Sequence, residues 1–91
     1  MTDEEIKRVV EPILRRHLGP YGFETAEVVS GVDHDGDPAI FVSARYATAE
    51  PERARGVRLD AGRELREALW EHGEERIAYV RHRFPEPEAH R

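Results

Sequence analysis

Residues Glu24–Tyr46 read ETAEVVSGVDHDGDPAIFVSARY, two apolar, β-branched segments separated by a short acidic stretch that contains an Asp-Gly pair. Segments of this kind on either side of an Asp-Gly turn signal are typical of a β-hairpin. We therefore predict two antiparallel strands here, which form the sheet against which the remaining elements pack.

Two strand registers are compatible with this hairpin. Pairing Asp33 with Pro38 gives one set of residues on a common face, namely Val29, Gly31, Ile40 and Val42. Pairing His34 with Pro38 gives a more uniformly apolar set, namely Ala26, Val28, Val32, Ile40, Val42 and Ala44. The second register also sets Glu27 opposite Arg45, a favourable cross-strand charge pair. We favour it, because a slip of one residue would move every side chain to the opposite face.

The rest of the chain contains two helical patterns and a third strand pattern. Apolar residues at spacings of three and four predict one helix over Asp3–Leu18 and a second over Arg58–His72. Gly19 and Gly73 follow these segments as natural helix stops. Residues Arg76–Phe84 alternate in character and predict a third strand.

The resulting order α-β-β-α-β predicts a two-layer α+β domain, with two helices on one face of a three-stranded sheet. A chain of 91 residues is long enough for one domain with a small core. We assign residues 1–84 to this single domain and residues 85–91, which read PEPEAHR, to a disordered tail.

Composition restricts the classes of function. The chain has no cysteine, which excludes disulfide scaffolds, thiolate catalysis and cysteine zinc sites within it. Its net charge of −5 argues against non-specific binding to nucleic acid or anionic lipid. No apolar run approaches a membrane span, and the MTDEEIKR start is acidic and amphipathic, unlike a signal peptide. We therefore expect a cytoplasmic protein with no membrane contact.

The acidic stretch between the two hairpin strands is the first candidate site. Asp33, Asp35 and Asp37 alternate as in a calcium loop, and His34 offers a further ligand. An EF-hand loop requires Gly at its sixth position and Glu at its twelfth, where this chain has Pro and Ala. Since Asp is favoured in turns for backbone geometry alone, we rank a metal site at these four residues below a purely structural turn.

The third strand contains the strongest basic patch, formed by Arg76, Arg81, His82 and Arg83. Guanidinium groups bind carboxylates and phosphates. Our leading interpretation is that Arg81 and Arg83 pair with acids on neighbouring elements. The alternative is an anion or nucleic-acid contact, extended by the arginines of residues 53–66 in the region of the second helix.

Gly19-Pro20-Tyr21-Gly22 has the spacing of the GxxG loop that clamps a nucleic-acid backbone in KH domains. The order α-β-β-α-β resembles the minimal type II KH arrangement and is also similar to that of BolA-like domains. In KH domains this loop joins two helices, whereas here it joins a helix to a strand, and its inner residues carry no positive charge. The motif residues of BolA-like domains are missing. We assign the chain to neither family and keep a KH-like nucleic-acid module as an alternative function.

We find no catalytic or cofactor-binding motif, and we expect neither enzymatic activity nor a bound cofactor. Val29 and Phe41 lie on the hairpin face opposite the predicted core, Tyr79 lies on the outer side of the third strand, and Trp70 lies beside the apolar stripe of the second helix. Exposed apolar surface of this kind marks protein contacts. We therefore predict an interaction or self-association domain, a homodimer or a complex with a protein partner, that uses these four residues. A small-ligand or metal binder at a dimer interface is a further alternative.

Overall fold

A computed structural model describes residues 1–49 and 54–85 of the chain. Its elements are helix α1 (Asp3–Leu18), strand β1 (Phe23–Val32), strand β2 (Pro38–Tyr46), helix α2 (Arg55–Glu71) and strand β3 (Ile77–Arg83). The predicted α+β class, the hairpin and the order α-β-β-α-β are confirmed. Helix α2 begins at Arg55 instead of Arg58, and β3 is one residue shorter at each end than predicted.

The sequence also predicts a disordered C-terminal tail and no membrane-spanning segment. Of the predicted disordered tail, Pro85 alone belongs to the part of the chain that the structure describes. Within residues 1–49 and 54–85, no helix has the length and apolar character needed to cross a membrane.

Helix α1 begins with a capping box. The Glu5 backbone N–H donates to Oγ1 of Thr2 at 3.1 Å, and the Thr2 backbone N–H donates to Oε1 of Glu5 at 2.8 Å. These reciprocal bonds satisfy backbone donors that the first turn of a helix leaves without partners. The helix buries one face, formed by Ile6, Val10, Ile13, Leu14 and Leu18.

The three strands form a mixed sheet in the order β1-β2-β3. Strands β1 and β2 are antiparallel, and β2 and β3 are parallel, so β2 is the central strand. Parallel neighbours need a long crossover connection between them, and α2 lies in that connection. The α2 crossover therefore returns the chain to the free edge of β2.

The hairpin register differs from both predicted registers. Val32 pairs with Pro38, whereas the favoured prediction paired His34 with Pro38 and is wrong by two residues. Glu27 lies opposite Ser43, so the predicted cross-strand charge pair does not form. Because strand side chains alternate with a period of two, a displacement of two residues leaves the division into two faces as predicted.

The acidic turn between the strands explains the shift in register. The Asp33 N–H donates to the Asp37 carbonyl at 3.0 Å, which closes a loop longer than a two-residue turn. Oδ1 of Asp33 accepts the backbone N–H groups of Asp35 and Asp37, both at 3.0 Å. Gly36 adopts a φ of +83°, a conformation that glycine takes without strain. These hydrogen bonds within the turn fix the loop length, and the loop length fixes the register.

The hydrophobic core lies between the two helices and one face of the sheet. The sheet contributes Phe23 and even-numbered residues, namely Ala26, Ile40, Val42, Ala44, Tyr46 and Ala78, and α2 contributes Ala61, Leu65 and Leu69. Val32 has the same strand parity but is exposed, since it adjoins the turn. Both helices thus pack on the even-numbered face, and the odd-numbered face is exposed from Glu27 onward in β1 and along β3.

Candidate functional site

The odd-numbered face of the sheet, called the open face below, consists of four rows of residues that cross all three strands. From the turn outward, the rows are Gly31–Ala39–Ile77, Val29–Phe41–Tyr79, Glu27–Ser43–Arg81 and Thr25–Arg45–Arg83. The two rows nearer the turn are apolar or small, apart from the tyrosine hydroxyl. The two farther rows are polar or charged, so the open face changes character along the strands.

The row Val29–Phe41–Tyr79 forms the apolar centre of the open face. The rings of Phe41 and Tyr79 stack with their centroids 5.7 Å apart and their planes 18° apart. The Phe41 ring also covers Gly31, where a Cβ atom would lie 3.1 Å from ring carbon Cε2. Val29 is 59% exposed and Tyr79 42% exposed. The centre is therefore an ordered aromatic surface that remains accessible to a partner.

A groove of about 730 Å³ lies over this aromatic pair. Asp33 and His34 of the turn border it at one end, and Arg81 and Arg83 border it farther along β3. The groove thus joins an acidic end, an apolar floor and a basic end on a single surface.

Asp33 connects the turn to the open face. Its Oδ2 accepts a hydrogen bond from the Tyr79 hydroxyl at 3.1 Å. The backbone N–H of Asp37 is the main cause that lowers the pKa of the Asp33 carboxyl, and the Tyr79 hydroxyl and the Asp35 N–H act in the same direction. The same bond to Asp33 raises the pKa of Tyr79. Asp33 therefore holds both the loop and the orientation of the aromatic pair.

The candidate metal ligands lie close together in the turn. One oxygen each of Asp33, Asp35 and Asp37 can be chosen so that all lie within 4.8 Å of one another, and His34 is outside this group. Carboxylate oxygens suit a hard cation such as Ca²⁺. Both oxygens of Asp33, however, already accept hydrogen bonds from the turn and from Tyr79. The hydrogen bonds of the turn thus account for Asp33, whereas the carboxylates of Asp35 and Asp37 bond to none of the described residues.

Strand alternation divides the predicted basic patch between two faces. Arg81 and Arg83 lie on the open face, whereas His82 lies on the opposite face with its Nδ1 2.7 Å from the Tyr46 hydroxyl. Burial raises the pKa of Tyr46 to about 12. The patch is therefore not a single surface.

Arg45 joins Arg81 and Arg83 on the open face, because it pairs with Arg83 in the register of β2 and β3. None of these three guanidinium groups forms a hydrogen bond or ion pair with a residue in the described ranges 1–49 and 54–85. The predicted pairing of Arg81 and Arg83 with nearby acids is thus not observed in that part of the chain. Arg45 was absent from the predicted patch, although strand parity placed it on the face of Phe41.

Arg76 takes part in a separate structural network. Its Nε donates to Oε2 of Glu74 at 2.9 Å, and its Nη2 donates to Oε1 of Glu74 at 3.0 Å. Nη1 of Arg76 donates a further hydrogen bond to Oγ of Ser30 at 2.9 Å. Glu74 is only 6% exposed, and the hydrogen bond from Arg76 is the main cause that lowers the pKa of its carboxyl to about 2. Arg76 thus ties the start of β3 to β1 and does not lie with Arg81 and Arg83.

The structure brings three of the four predicted contact residues together. Val29, Phe41 and Tyr79 form one row of the open face, whereas Trp70 lies on α2, which packs on the other face of the sheet. Trp70 is 68% exposed. One flat interface cannot include both Trp70 and the aromatic pair.

The glycine motif shared with KH loops lies between α1 and β1. Gly19–Tyr21 forms a single 3-10 turn, and Gly22 follows with a φ of +95°. A Cβ at Gly22 would collide with the side chain of Thr48. These glycines shape a helix-to-strand connection, as the sequence indicates, and do not join two helices.

Comparison of the chain with protein-family models, with curated proteins and with solved structures finds no match. Function is therefore inferred from the open face and its residues.

Proposed function

We propose that this chain is a self-association domain whose open face binds a second copy of the protein. The observation that carries the proposal is the row Val29–Phe41–Tyr79, an accessible apolar row at the middle of a sheet face away from both helices. Removing such surface from water is favourable by about 25 cal/mol for each Å² buried. Sheets commonly bury a face of this kind against a second sheet, as in a β-sandwich.

The open face is a better candidate than a sheet edge. Strands β1 and β3 are the edge strands, and either could extend the sheet by pairing with another strand. The aromatic pair of Phe41 and Tyr79, however, projects from the face and would stay in water in an edge-to-edge dimer. We place this assembly in the cytoplasm, consistent with the cysteine-free composition.

Replacement of Phe41 by Asp tests the proposal. The charge would lie at the centre of the interface, and we expect the dimer mass measured by light scattering to fall to that of a monomer. The far-ultraviolet circular dichroism should be unchanged, because Phe41 lies outside the core cluster. Leu59→Asp is the matched control, since Leu59 is an exposed apolar residue on α2 and its replacement should leave the dimer intact. A wild-type protein that stays monomeric at high concentration, or a dimeric Phe41→Asp variant, would contradict the proposal.

A second candidate function is the binding of single-stranded nucleic acid. It is supported by the guanidinium groups of Arg45, Arg81 and Arg83, which pair with no residue of the described ranges and lie beside a stacked aromatic pair. Proteins that bind single strands stack bases on aromatic side chains and hold phosphates with arginine. The net charge of −5 and the acidic turn oppose this function.

Fluorescence anisotropy with a labelled single-stranded RNA at low salt tests the second candidate. Binding that weakens with added salt and is lost in the Arg81→Glu, Arg83→Glu double variant would support it. Unchanged anisotropy at high protein concentration would remove nucleic-acid binding from consideration.

A further inference from the structure

We infer that two copies pack open face to open face with antiparallel strands, related by a two-fold axis over Phe41, so that the acidic turn of each copy meets the basic end of the other. This arrangement rests on the proposed self-association and specifies its geometry. We infer it from two groups of opposite charge at opposite ends of the open face. These are carboxylates in the turn and guanidinium groups at the far end, and neither group forms an ion pair with the described residues.

The acidic end of the face comprises Asp33, which borders the groove, and two further carboxylates of the same turn, those of Asp35 and Asp37. The backbone N–H groups of both residues bond to Asp33, but their carboxylates form no hydrogen bond or ion pair with the residues described. The turn lies next to the open face, because Asp33 is bonded to the Tyr79 hydroxyl. These two carboxylates are therefore available to a neighbouring molecule.

The basic end consists of Arg45, Arg81 and Arg83, whose guanidinium groups are likewise unpaired in the part of the chain that the structure describes. Glu27 is the one acid in the two polar rows of the open face. Glu24 also borders a groove together with Arg45 and Arg83. With three arginines against two glutamates, the far end of the face still has a net positive charge, opposite in sign to the turn.

The two ends are too far apart to neutralise one another within a single chain. Asp37 and Arg45 are eight residues apart on an extended segment, which corresponds to about 27 Å. Phe41 lies midway, four residues from each. The aromatic pair is therefore at the centre of a face whose charges are disposed evenly on either side.

Symmetry decides which ends meet in a dimer. Two faces can be brought together by a two-fold axis that lies in the plane of contact. An axis parallel to the strands would superpose acid on acid and base on base, and like charges in contact oppose association. An axis perpendicular to the strands and above Phe41 reverses the strand direction, so that Asp37 lies over the partner's Arg45 and Phe41 over the partner's Phe41.

This arrangement agrees with the geometry of packed sheets. Aligned sheets lie about 10 Å apart with strand directions within about 30° of each other, and an antiparallel direction is compatible with that alignment. In an interface with two-fold symmetry each contact occurs twice, so the pairing of an acidic end with a basic end gives two charge contacts in each dimer. A second copy is therefore complementary to the whole face, whereas a nucleic acid would be repelled at the acidic end.

Two charge-segregated variants test the arrangement. The acidic variant carries Arg45→Glu and Arg83→Glu, and the basic variant carries Asp35→Lys and Asp37→Lys. Asp33 is left unchanged, because its carboxylate holds the turn. Each variant alone would place like charges together at both ends of the interface, and we expect its dimer to dissociate at least about tenfold more readily than wild type.

An equimolar mixture of the two variants should restore association as a heterodimer, since acidic ends then meet basic ends at both contacts. Native mass spectrometry distinguishes the heterodimer by mass, and circular dichroism checks that each variant is folded. Wild type decides between the two axes, because added salt should weaken a dimer in which opposite charges meet and strengthen one in which like charges meet.

The outcomes separate this arrangement from the underlying proposal. A monomeric wild type would overturn self-association and the arrangement together. A dimeric wild type whose variants form no preferred heterodimer, or whose dimer is unaffected or strengthened by salt, would leave self-association standing and overturn the antiparallel arrangement.

Discussion

At the scale of single residues, Arg76 and Glu74 show how burial changes the role of a charged side chain. Glu74 is 6% exposed and accepts two side-chain hydrogen bonds from Arg76 and one backbone hydrogen bond from the same residue. Charge-assisted bonds of this kind are stronger than neutral ones, and a buried carboxylate without its cation would be costly. The sequence placed Arg76 with Arg81 and Arg83, because a count of nearby charges does not show which acid lies within reach.

Replacing Glu74 by Gln should lower the free energy of unfolding at pH 7 by about 2 kcal/mol, because a charged acceptor of buried hydrogen bonds is lost. Glu75→Gln is the matched control, since Glu75 is the exposed neighbour, and it should change the free energy of unfolding by less than about 0.5 kcal/mol. Urea denaturation measures both effects.

The pH dependence of this difference tests its electrostatic origin. Arg76 lowers the pKa of Glu74 from 4.5 to about 2 in the folded protein. A lowered carboxyl pKa stabilises the fold fully above the unfolded pKa, and that contribution is lost as the pH falls from 4.5 toward 2. The stability of wild type and of Glu74→Gln should therefore converge at low pH. A difference that stays constant between pH 7 and pH 3 would contradict the ion-pair origin.

At the scale of elements, the hairpin shows what strand periodicity can predict. The division of residues into two faces followed correctly from alternation, and it placed Phe41 and Val29 outside the core. The register did not follow, because it depends on hydrogen bonds that Asp33 makes inside the turn. An Asp-Gly pair indicates a turn without stating how many residues the turn contains.

Asp33→Ala should lower the melting temperature below that of wild type, since two backbone N–H groups and the Tyr79 hydroxyl lose their acceptor. Asp35→Ala is the control and should be nearly neutral, because its carboxylate bonds to no described residue. Thermal denaturation compares the two variants with wild type.

Calcium provides an independent check on the acidic turn. If Asp33 serves the turn and the three aspartates bind no ion, millimolar Ca²⁺ should leave the melting temperature of wild type unchanged. A ligand that binds the folded state alone would raise it. A rise that is lost in Asp35→Ala would assign the cluster to metal binding instead.

The third strand marks the limit of prediction at this scale. Its alternating pattern correctly placed Tyr79 on the outer side, where it is 42% exposed, while the adjacent Ala78 is buried. The pattern does not show which strand of the hairpin is its neighbour, because a strand that is apolar on both sides can pair with either one. The parallel pairing with β2 sets Arg45 beside Arg83, and so it creates the basic end of the open face.

At the scale of the whole molecule, two layers separate surfaces that the sequence could not tell apart. Both helices lie on the even-numbered face. The exposed residues of α2 and the residues of the open face therefore lie on opposite surfaces of the molecule. Trp70 and Phe41 were predicted as members of one contact surface because each is a large aromatic outside the core. Because Trp70 lies on the helical layer and Phe41 on the open face, each residue reports on a different possible interface.

The single tryptophan of the chain makes this distinction measurable. Trp70 is 68% exposed on α2. If the open face forms the dimer, Trp70 stays in water on association, and its fluorescence spectrum should be the same in dilute and concentrated protein. Trp70→Ser should likewise retain the dimer mass, whereas Phe41→Asp should lose it.

The reverse result would assign association to the helical layer. In that case the Trp70 emission would shift to shorter wavelength as the protein is concentrated, because the indole would leave water. Trp70→Ser would then give a monomer, and Phe41→Asp would keep its dimer mass. Since the two aromatics lie on opposite sides of the sheet, the same pair of variants and one spectrum decide between the two layers.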